Sequence, residues 1–581
     1  MTVRAKPVVK RSSRTNRDAD SRRTLLINLG FAAVVLAAVA ILLAAAGASY
    51  YGDHLTSVAT VDGTSISRDQ YRVRYAIEDW RINEAESRLR DEAQAGRITS
   101  DQASQAISSL DQQKQQLSTA VLQRLEDATL QSQLAVKDGV SVSPADVDTQ
   151  LALEATRPEE RHLFVIEEAP TTSGSAAPSA LETATAQRKA EQALQDIQSG
   201  KKLEDVAKAV STGSTSAQGG DLGWYSANST LDKPFLDAMF AAKQNVPSGV
   251  IQGADGTFRI GKVVDISPKS VDQSYQSKIK SAGISIGDYR AVVSSDLLDK
   301  RLNDKITSSL TGQASVQRRV GEIYVPQPSG AGDEVQARHI LLAPNHITDA
   351  TQLQALPQTD PAWAKAKADA QAAYDKLKAL TGTQLETEFA TLASSESDDS
   401  GSKVSGGQLP WLTQDQLDPA FGAAIFKTGL VKDQLIGPVQ SSFGWHVILF
   451  EARRPGPEQR IANAGLAATA KGADFAAVAK QYSEGPDAST GGDMGWIAKY
   501  QLSAAKEKAI FATPVGGTSS VINVASDGLY LFHVYEEATR TPVGRQLDSL
   551  KASALTNWYA AQKAAASISE DQANLPSVTT G

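Results

Sequence analysis

The pattern of hydrophobic and polar positions first divides the chain near residue 50. Residues 25–48, LLINLGFAAVVLAAVAILLAAAGA, form an apolar run without a charged side chain. A helix of this length crosses the hydrocarbon core of a bilayer, which is about 30 Å thick. Residues 1–23 are rich in Lys and Arg, and such basic flanks stay cytoplasmic. The pattern predicts a basic cytoplasmic tail (1–23), a transmembrane anchor (24–50) and an extracytoplasmic remainder.

A cleaved signal peptide is the alternative interpretation of this segment. The small residues AGA at 46–48 suit cleavage near Ala48. The apolar run exceeds the usual signal-peptide core of about 7–15 residues, which favours the anchor. A protein secreted after cleavage stays open as the second possibility.

Helical patterning dominates residues 51–158. Two helix starts have the spacing of a capping box, Ser67 with Gln70 and Thr99 with Gln102. Ser143-Pro144 with Asp146 starts a third helix, with proline in the first turn. A second helical stretch follows at 285–310. Neither stretch contains a cluster of side chains suited to catalysis.

A six-residue motif recurs three times, as GGDLGW at 219–224, GGQLPW at 406–411 and GGDMGW at 491–496. In each copy a short helix ending in Phe follows at nearly constant spacing, at Phe240, Phe426 and Phe511. Agreement in both order and spacing indicates a structural repeat. Each full copy reads as strand, helix, helix, Gly-Gly turn, helix and strand, which predicts an α+β domain around a small antiparallel sheet.

The chain therefore divides into a succession of predicted segments. After the tail and anchor these are a first helical part (51–158), repeat one (159–268), a second helical part (269–325), repeat two (335–455), repeat three (456–538), and a C-terminal helix and tail (539–581).

Composition narrows the chemistry. The formal net charge of −8 argues against a general nucleic-acid binder, which needs basic surface to neutralise phosphates. The absence of cysteine excludes disulfides, thiol nucleophiles and thiolate metal sites. The sequence also has no nucleophile elbow and no histidine pair at metal-ligand spacing, so we expect neither a hydrolase nor a metal site.

Repeat two resembles the parvulin-type peptidyl-prolyl isomerases. The resemblance is carried by RHILL (338–342), SDDS (397–400), the Gly-Gly-x-Leu turn, LDPAF…IF (417–426) and FGWH (443–446). The flanking helical parts look like the chaperone module of SurA and of PrsA/PpiD-type extracytoplasmic foldases, through VATVDGTSISRDQYRVRY (58–75), SAGISIGDYRAVVSSDLLDKRL (281–302) and ALTNWYAAQKAAA (554–566). On this resemblance repeat one is an insertion within the helical module.

The resemblance implies a prolyl isomerase and chaperone that acts, without a cofactor, on unfolded exported polypeptides containing X-Pro bonds. It assigns the polar half of an active site to His339, Asp399 and His446. It assigns the apolar proline pocket to Leu409, Leu417, Phe421 and Phe426. A lone strand histidine, or Leu and Phe at helical spacing, also suits an ordinary core, so the set carries the assignment rather than any single member.

The other two repeats depart from this set. Repeat one keeps His162 as a match for the first histidine but has Gly213 and Arg259 at the other two polar positions. Repeat three lacks an RHIL strand, so we expect it to be incomplete, and it carries Lys506 and Tyr530 at site positions. Both are expected to be non-catalytic.

Two features of repeat two bear on efficiency and specificity. Gln408 and Pro410 replace the Asp and Gly of the other turns, and proline lacks an N–H, so a different turn shape is expected. The segment 343–362 has no Lys or Arg to bind a phosphate, so we expect unphosphorylated substrates. A holdase built from parvulin-shaped domains with little isomerase activity is the competing hypothesis.

Overall fold

The computed structural model describes residues 14–171, 178–327 and 332–577. Helix α1 (Arg14–Tyr50) is followed by a single π-helical turn, Tyr51–Leu55. By length and composition, the part Phe31–Leu55 could cross a membrane, with a mean hydropathy of 2.6 and no part buried against protein. The apolar run predicted to be helical is thus helical throughout.

A helical module with a small strand pair follows. Its elements are β1 (Ser57–Val61), β2 (Thr64–Ser67), α2 (Arg68–Gln94), α3 (Ser100–Gln115), α4 (Leu117–Lys137), α5 (Pro144–Glu154) and β3 (Thr156–Arg157). The two predicted capping boxes are confirmed, and the third helix start also forms one: the hydroxyls of Ser67, Thr99 and Ser143 each accept a bond from the backbone N–H three residues later. These contacts satisfy backbone donors that have no partner in the first helical turn.

Repeat one folds as a four-stranded antiparallel sheet with helices, here called domain 1. Its elements are β4 (Glu160–Glu168), α6 (Ala180–Gln198), α7 (Leu203–Val210), β5 (Asp221–Ser226), α8 (Lys233–Ala241), β6 (Ile251–Gln252) and β7 (Phe258–Ser267). The strand order is β5-β4-β7-β6. Strand β8 (Ser270–Val271) then pairs with β3, so the two ends of domain 1 lie side by side.

The chain next returns to the helical module through α9 (Tyr275–Ser281) and α10 (Ile286–Gly312). One core cluster combines Ile77 and Trp80 of α2 with Leu151 of α5 and with Tyr275 and Tyr289 of the returning helices. Residues on both sides of domain 1 thus fill a single core. Domain 1 is an insertion in the helical module.

Repeat two, here called domain 2, has the same sheet with order β11-β10-β13-β12. After β9 (Ser315–Pro326), its elements are β10 (Glu334–Leu342), α11 (Ala350–Ala355), α12 (Pro361–Leu377), α13 (Gly382–Glu396), α14 (Ser400–Lys403), β11 (Leu412–Thr413), α15 (Pro419–Ile425), β12 (Gln434–Gln440) and β13 (Trp445–Arg454). Helices α12 and α13 cover one face through Ala370, Phe389 and Leu392. Helix α15 covers the other face through Phe421 and Ile425.

Repeat three, here called domain 3, corrects two sequence expectations. Its later elements are α16 (Pro457–Thr469), α17 (Phe475–Tyr482), β14 (Asp493–Ala498), α18 (Ala504–Ala512), β15 (Ile522–Val524) and β16 (Gly528–Arg540). Its first strand is β9, which pairs with both β14 and β16. The sheet therefore has four strands and is not incomplete, and residues 315–325 belong to it rather than to the helical module. Domain 2 is inserted between the first strand of domain 3 and the rest of it.

Four charged residues form a cluster where the chain enters and leaves domain 2. Glu334, at the start of domain 2, is 2% exposed and accepts bonds from Arg454 and Arg460. Glu484 of domain 3 pairs with the same two arginines at 3.0 and 3.1 Å. Each carboxylate thus meets two guanidinium groups, the arrangement that buried charge requires.

The end of the chain closes the helical module. Helix α19 (Gly544–Ala565) leads to β17 (Ile568–Glu570), which pairs antiparallel with β1. The resulting sheet has the order β17-β1-β2. Lys563 also forms an ion pair with Asp127 of α4 at 2.7 Å.

The second glycine of the repeated motif explains the recurrence of the motif. Gly220, Gly407 and Gly492 all have positive φ, between 73° and 83°. A Cβ on any of them would lie 2.1–2.4 Å from a carbonyl oxygen of the domain's first strand. The glycine carbonyl in turn accepts the N–H of Val165, His339 or Glu322. Only glycine permits this backbone-to-backbone contact, so the motif is a requirement of the fold.

The assignment of β9 to domain 3 predicts how fragments fold. Residues 456–562 alone lack the central strand β9 and should not give a cooperative unfolding transition. Residues 313–327 joined to 456–562 by a linker of about six Gly and Ser residues should give one. Such a short linker suffices because the backbones of Gly332 and Gly456 meet: a Cβ on Gly456 would lie 2.3 Å from the Gly332 carbonyl oxygen.

Urea titration monitored by circular dichroism separates the two fragments. The matched control is the joined fragment with Ile323→Asn, since Ile323 is fully buried in the sheet; it should behave like residues 456–562. Cooperative unfolding of residues 456–562 without β9 would contradict this account of the domain.

Candidate active site

Domain 2 contains a cavity of about 380 Å³ on the α15 side of its sheet. The apolar part of its lining includes Leu409, Leu417, Phe421 and Phe443. The polar part includes His339, His446 and three aspartates. The cavity thus combines an apolar pocket with a polar wall.

Strand pairing brings the two histidines together. His339 lies on β10, and His446 on β13 is opposite Leu341 in the antiparallel register. The two rings stack with centroids 5.3 Å apart, and their Nδ1 atoms are 3.1 Å apart. Both residues are buried, at 7% and 4% exposure.

A chain of hydrogen bonds extends from this pair in both directions. The Nε2 atom of His339 lies 2.8 Å from Asp399 Oδ2 and 3.1 Å from the hydroxyl oxygen of Ser402. The Nε2 atom of His446 lies 2.6 Å from the hydroxyl oxygen of Ser441. The order is therefore Asp399, His339, His446, Ser441.

The electrostatics of the cavity determine how protons are arranged along this chain. Hydrogen bonds from His339, together with those from Ser402 and the Gly401 N–H, lower the pKa of Asp399 below its usual range despite its partial burial. The ionised carboxylate accepts the Nε2 proton of His339. Burial, reinforced by His339, lowers the pKa of His446 to about 3, so this imidazole is neutral at pH 7. A neutral imidazole donates from one ring nitrogen and accepts at the other, so His446 can take part in both of its hydrogen bonds, to His339 and to Ser441.

Helix α15 supplies the apolar pocket. Asp418 caps this helix through the N–H groups of Ala420 and Phe421. The Phe421 ring then packs edge-on against both histidine rings, at centroid distances of 4.9 and 5.6 Å. Leu417 and Phe421, four residues apart, face the same cavity.

Phe426 is a correction to the predicted set. The other six residues assigned to the site line the cavity, but Phe426 does not. Its side chain packs against the core cluster that includes Ile425 and Phe450, with the Arg453 guanidinium 5.5 Å from the ring centroid. Phe426 is the C-cap of α15, one residue beyond its last residue Ile425, whereas Phe421 lies in the first turn.

Sequence reasoning missed several residues around the cavity. Ser402 and Ser441 complete the hydrogen-bond chain, and Asp398, Asp418 and Phe443 line the cavity. Asp398, Asp418 and Phe443 lie within the motifs SDDS, LDPAF and FGWH, and Ser402 and Ser441 each lie two residues outside one of them. That adjacency was the available signal.

The Gly-Gly turn beside the cavity keeps its backbone contacts despite Gln408 and Pro410. The Gly407 N–H donates to the Ser402 carbonyl at 2.9 Å, and the equivalent bonds of Gly220 and Gly492 measure 2.8 Å. In the other turns the Asp side chain accepts the N–H two residues later. Pro410 has no N–H, and Gln408 donates to Glu451 instead. The expected change in turn shape lies after Gly407: Gly223 and Gly495, at the position of Pro410, have φ of 85° and 75°, which proline cannot adopt.

Comparison with known proteins agrees with this geometry. A family model described as PPIC-type PPIASE domain matches residues 339–452 and 457–536, and a second model of the same description matches 165–266. A model of the SurA-like N-terminal domain matches residues 27–156. The chain carries PPIC-type parvulin domains behind a SurA-like N-terminal domain.

Relatives of the chain include the chaperone SurA of Yersinia pestis, 42% identical over 115 residues, and that of Pseudomonas fluorescens, 31% identical over 166 residues. These matches cover 20% and 27% of this chain, and 22% and 33% of the relatives. The chain therefore matches only a third or less of the length of these proteins.

Solved structures that match parts of this chain include a PpiC-type peptidyl-prolyl cis-trans isomerase domain and a SurA-like chaperone of Campylobacter jejuni. The first is 21% identical, with 21% of this chain and 94% of that chain covered and a TM-score of 0.17. The second is 20% identical, with 44% and 95% covered and a TM-score of 0.17.

The parvulin fold of domain 1 lacks the histidine pair. The bond to its Gly-Gly turn places Val165, not His162, at the position of His339, which corrects the sequence-based match. His162 lies three residues earlier and bonds to Asp221 at 2.7 Å. Arg259 occupies the position of His446, as predicted, and bonds to Glu167 and Asp255. The Glu167 carboxylate fills the space above Gly213, 2.1 Å from where a Cβ would lie.

The parvulin fold of domain 3 also replaces the pair. Glu322 stands at the position of His339 and Tyr530 at that of His446. Lys506 replaces the pocket phenylalanine and lies 3.8 Å from the centroid of the Tyr530 ring. Burial raises the pKa of Glu322 to about 7. His533, three residues beyond Tyr530, stacks on Phe475 instead.

The low pKa of His446 predicts a pH dependence of stability for domain 2. In the unfolded chain the imidazole titrates at its ordinary value of 6.5, and in the fold at about 3. Between these values only the unfolded state binds the proton. Acidification below pH 6.5 should therefore lower the free energy of unfolding, by up to about 1.4 kcal/mol per pH unit.

Urea titrations of residues 332–456 at pH 7.5, 6.5, 5.5 and 4.5, followed by tryptophan fluorescence, measure this slope. His446→Gln supplies the control, because it removes the titrating group and keeps polar atoms for Ser441. Asp399 contributes little in this window, since its contribution is lost only as the pH falls from its ordinary value of 3.8 in the unfolded chain towards its lower value in the fold. Parallel curves for the parent and His446→Gln would show that burial does not shift this histidine.

Proposed function

We propose that the protein is a peptidyl-prolyl isomerase and chaperone for exported polypeptides, with catalysis confined to domain 2. The observation that carries the proposal is the cavity in which Leu417 and Phe421 adjoin the buried pair His339 and His446. Domains 1 and 3 have the fold but fill the corresponding positions with ion pairs, such as that between Lys506 and Asp527 at 2.9 Å. They serve as binding or spacing domains.

The chemistry follows from the properties of the X-Pro amide. Rotation about this bond breaks amide resonance and costs about 18–20 kcal/mol. The twisted amide is less dipolar than the planar one, so removal from water costs it less free energy. A cavity that binds the proline ring against Leu409, Leu417 and Phe421 therefore favours the twisted state.

In this proposal the polar wall acts by position and charge. Asp399 and His339 fix the orientation of the His446 ring, and the fixed dipoles of the hydrogen-bond chain face the rotating carbonyl. Such preorganised groups stabilise a transition state without the reorganisation that water requires. No covalent intermediate and no cofactor is needed.

An isomerisation assay tests the proposal. The full chain should accelerate cis-trans exchange of an X-Pro tetrapeptide, and Asp399→Asn and Phe421→Ala should each lower kcat/KM by at least about tenfold, equivalent to about 1.4 kcal/mol of transition-state stabilisation. Tyr530→Phe is the matched control. Tyr530 is the residue of domain 3 that corresponds to His446, so its substitution should leave kcat/KM unchanged.

The competing holdase hypothesis predicts another outcome. If the full chain leaves the exchange rate at its uncatalysed value yet still suppresses aggregation of an unfolded client, the protein is a holdase with a parvulin fold. The aggregation assay is therefore run on the same preparations.

We further propose that α1 anchors the protein in the cytoplasmic membrane, with the remainder outside. Its support is the length and hydropathy of Phe31–Leu55 and the basic flank before it. Expressed in a bacterial cell, the full chain should stay in the membrane fraction after alkaline carbonate extraction, and mass spectrometry should find the apolar segment intact. A soluble mature chain that begins near Ser49 would instead establish a cleaved signal sequence.

A further inference from the structure

Three carboxylates line the cavity of domain 2, those of Asp398, Asp399 and Asp418. They lie on two sides of the apolar pocket. Asp399 bonds to the histidine pair, whereas Asp418 begins the helix that carries Phe421. No lysine or arginine is among the residues that line this cavity in the described part of the chain.

The partners of Asp418 leave its charge uncompensated. Its carboxylate accepts bonds from the N–H groups of Ala420 and Phe421 and from the N–H and hydroxyl of Ser442. All four donors are neutral. These bonds lower its pKa against the opposing effect of burial, so the group is ionised at neutral pH.

Asp398 faces the cavity from the opposite loop. It accepts the Ala343 N–H at 2.8 Å, and its other oxygen lies 2.8 Å from Nδ1 of His346. The His346 side chain is 74% exposed and is the only titratable group bonded to Asp398 in the part of the chain the structure describes. The loop contributes Ile347, Thr348 and Leu353 to the cavity wall, none of which carries charge.

The other two domains show that this negative wall is particular to domain 2. Domain 1 has Arg259 at the position of His446, with a guanidinium 11% exposed. Domain 3 has Lys506 at the position of Phe421, with a side chain 17% exposed. In both domains carboxylates surround the cation, whereas the carboxylates that line the cavity of domain 2 have no lysine or arginine among the lining residues that the structure describes.

We infer that Asp398 and Asp418 are specificity-determining residues that select X-Pro bonds flanked by lysine or arginine and disfavour those flanked by glutamate, aspartate or phosphoserine. This inference rests on the proposed isomerase function of the cavity. A cation beside the proline enters a partly buried field of carboxylates, where solvent screening is weaker than at an open surface. An anion at the same place meets the same charges with the opposite sign.

The experiment measures kcat/KM of the full chain for four tetrapeptides that differ only before proline, with Lys, Leu, Glu and phosphoserine. The ratio of the lysine to the glutamate peptide should be at least about fivefold in 20 mM NaCl and fall towards one in 0.5 M NaCl, because salt screens the carboxylates. The ratio is insensitive to a general loss of activity, which affects both peptides equally.

Asp398→Asn is the most informative variant. An asparagine there keeps the shape of the side chain and can still accept the Ala343 N–H, so the charge is the main property that is lost. This variant and Asp418→Asn should each lower the lysine-to-glutamate ratio by at least about twofold. Asp375→Asn is the matched control, because Asp375 lies on α12, pairs with Lys378 and is outside the cavity; the ratio should stay at its parent value.

The outcomes distinguish this inference from the proposed function. Catalysis with equal kcat/KM for the lysine and glutamate peptides overturns the selection while leaving the isomerase intact. A preference for lysine that persists in Asp398→Asn and Asp418→Asn overturns the assignment to these residues. Absence of catalysis with all four peptides overturns the proposed function, and the inference with it.

Discussion

The antiparallel pairing of the first and last strands is the interaction on which each parvulin domain depends. In domain 2 this pairing, of β10 with β13, places Leu341 opposite His446 and so brings His446 within hydrogen-bond distance of His339. The contact of Gly407 with the His339 backbone then holds the turn, and with it Leu409, against the same strand. Cavity, histidine pair and apolar pocket all follow from one strand register.

The same strand register explains which parts of the site could be predicted from the sequence and which could not. The four-residue spacing between Leu417 and Phe421 is a local feature, and so are the capping boxes. Both could therefore be predicted from neighbouring residues. The histidine pair could not, because its members are 107 residues apart, and only the resemblance to parvulins suggested that they meet. The bond between Asp418 and Ser442, which are 24 residues apart, is likewise one that no local pattern reveals.

The two clearest errors have a common physical origin. His162 was matched to His339 because the letters RHL and RHI agree, but the turn bonds to Val165, and a shift of three residues along a strand reverses the face on which a side chain lies. Strand β9 was assigned to the helical module because its partners lie beyond an entire inserted domain. Strand register and long-range strand pairing are properties of the folded backbone. The amino-acid sequence determines them only through the whole fold, so a short sequence match does not reveal them.

The insertion of domain 2 into domain 3 has a consequence for the order in which the chain acquires structure. During synthesis β9 emerges before any of its partners, and residues 327–456 must follow before α16 begins. Domain 2 contains its complete sheet and can fold during this interval. Once folded, it brings its two ends together at Gly332 and Gly456, so the entropy cost of closing a loop of this length has already been met. The folded isomerase domain thereby acts as an intramolecular scaffold, which presents an otherwise isolated strand to the segment that completes its sheet.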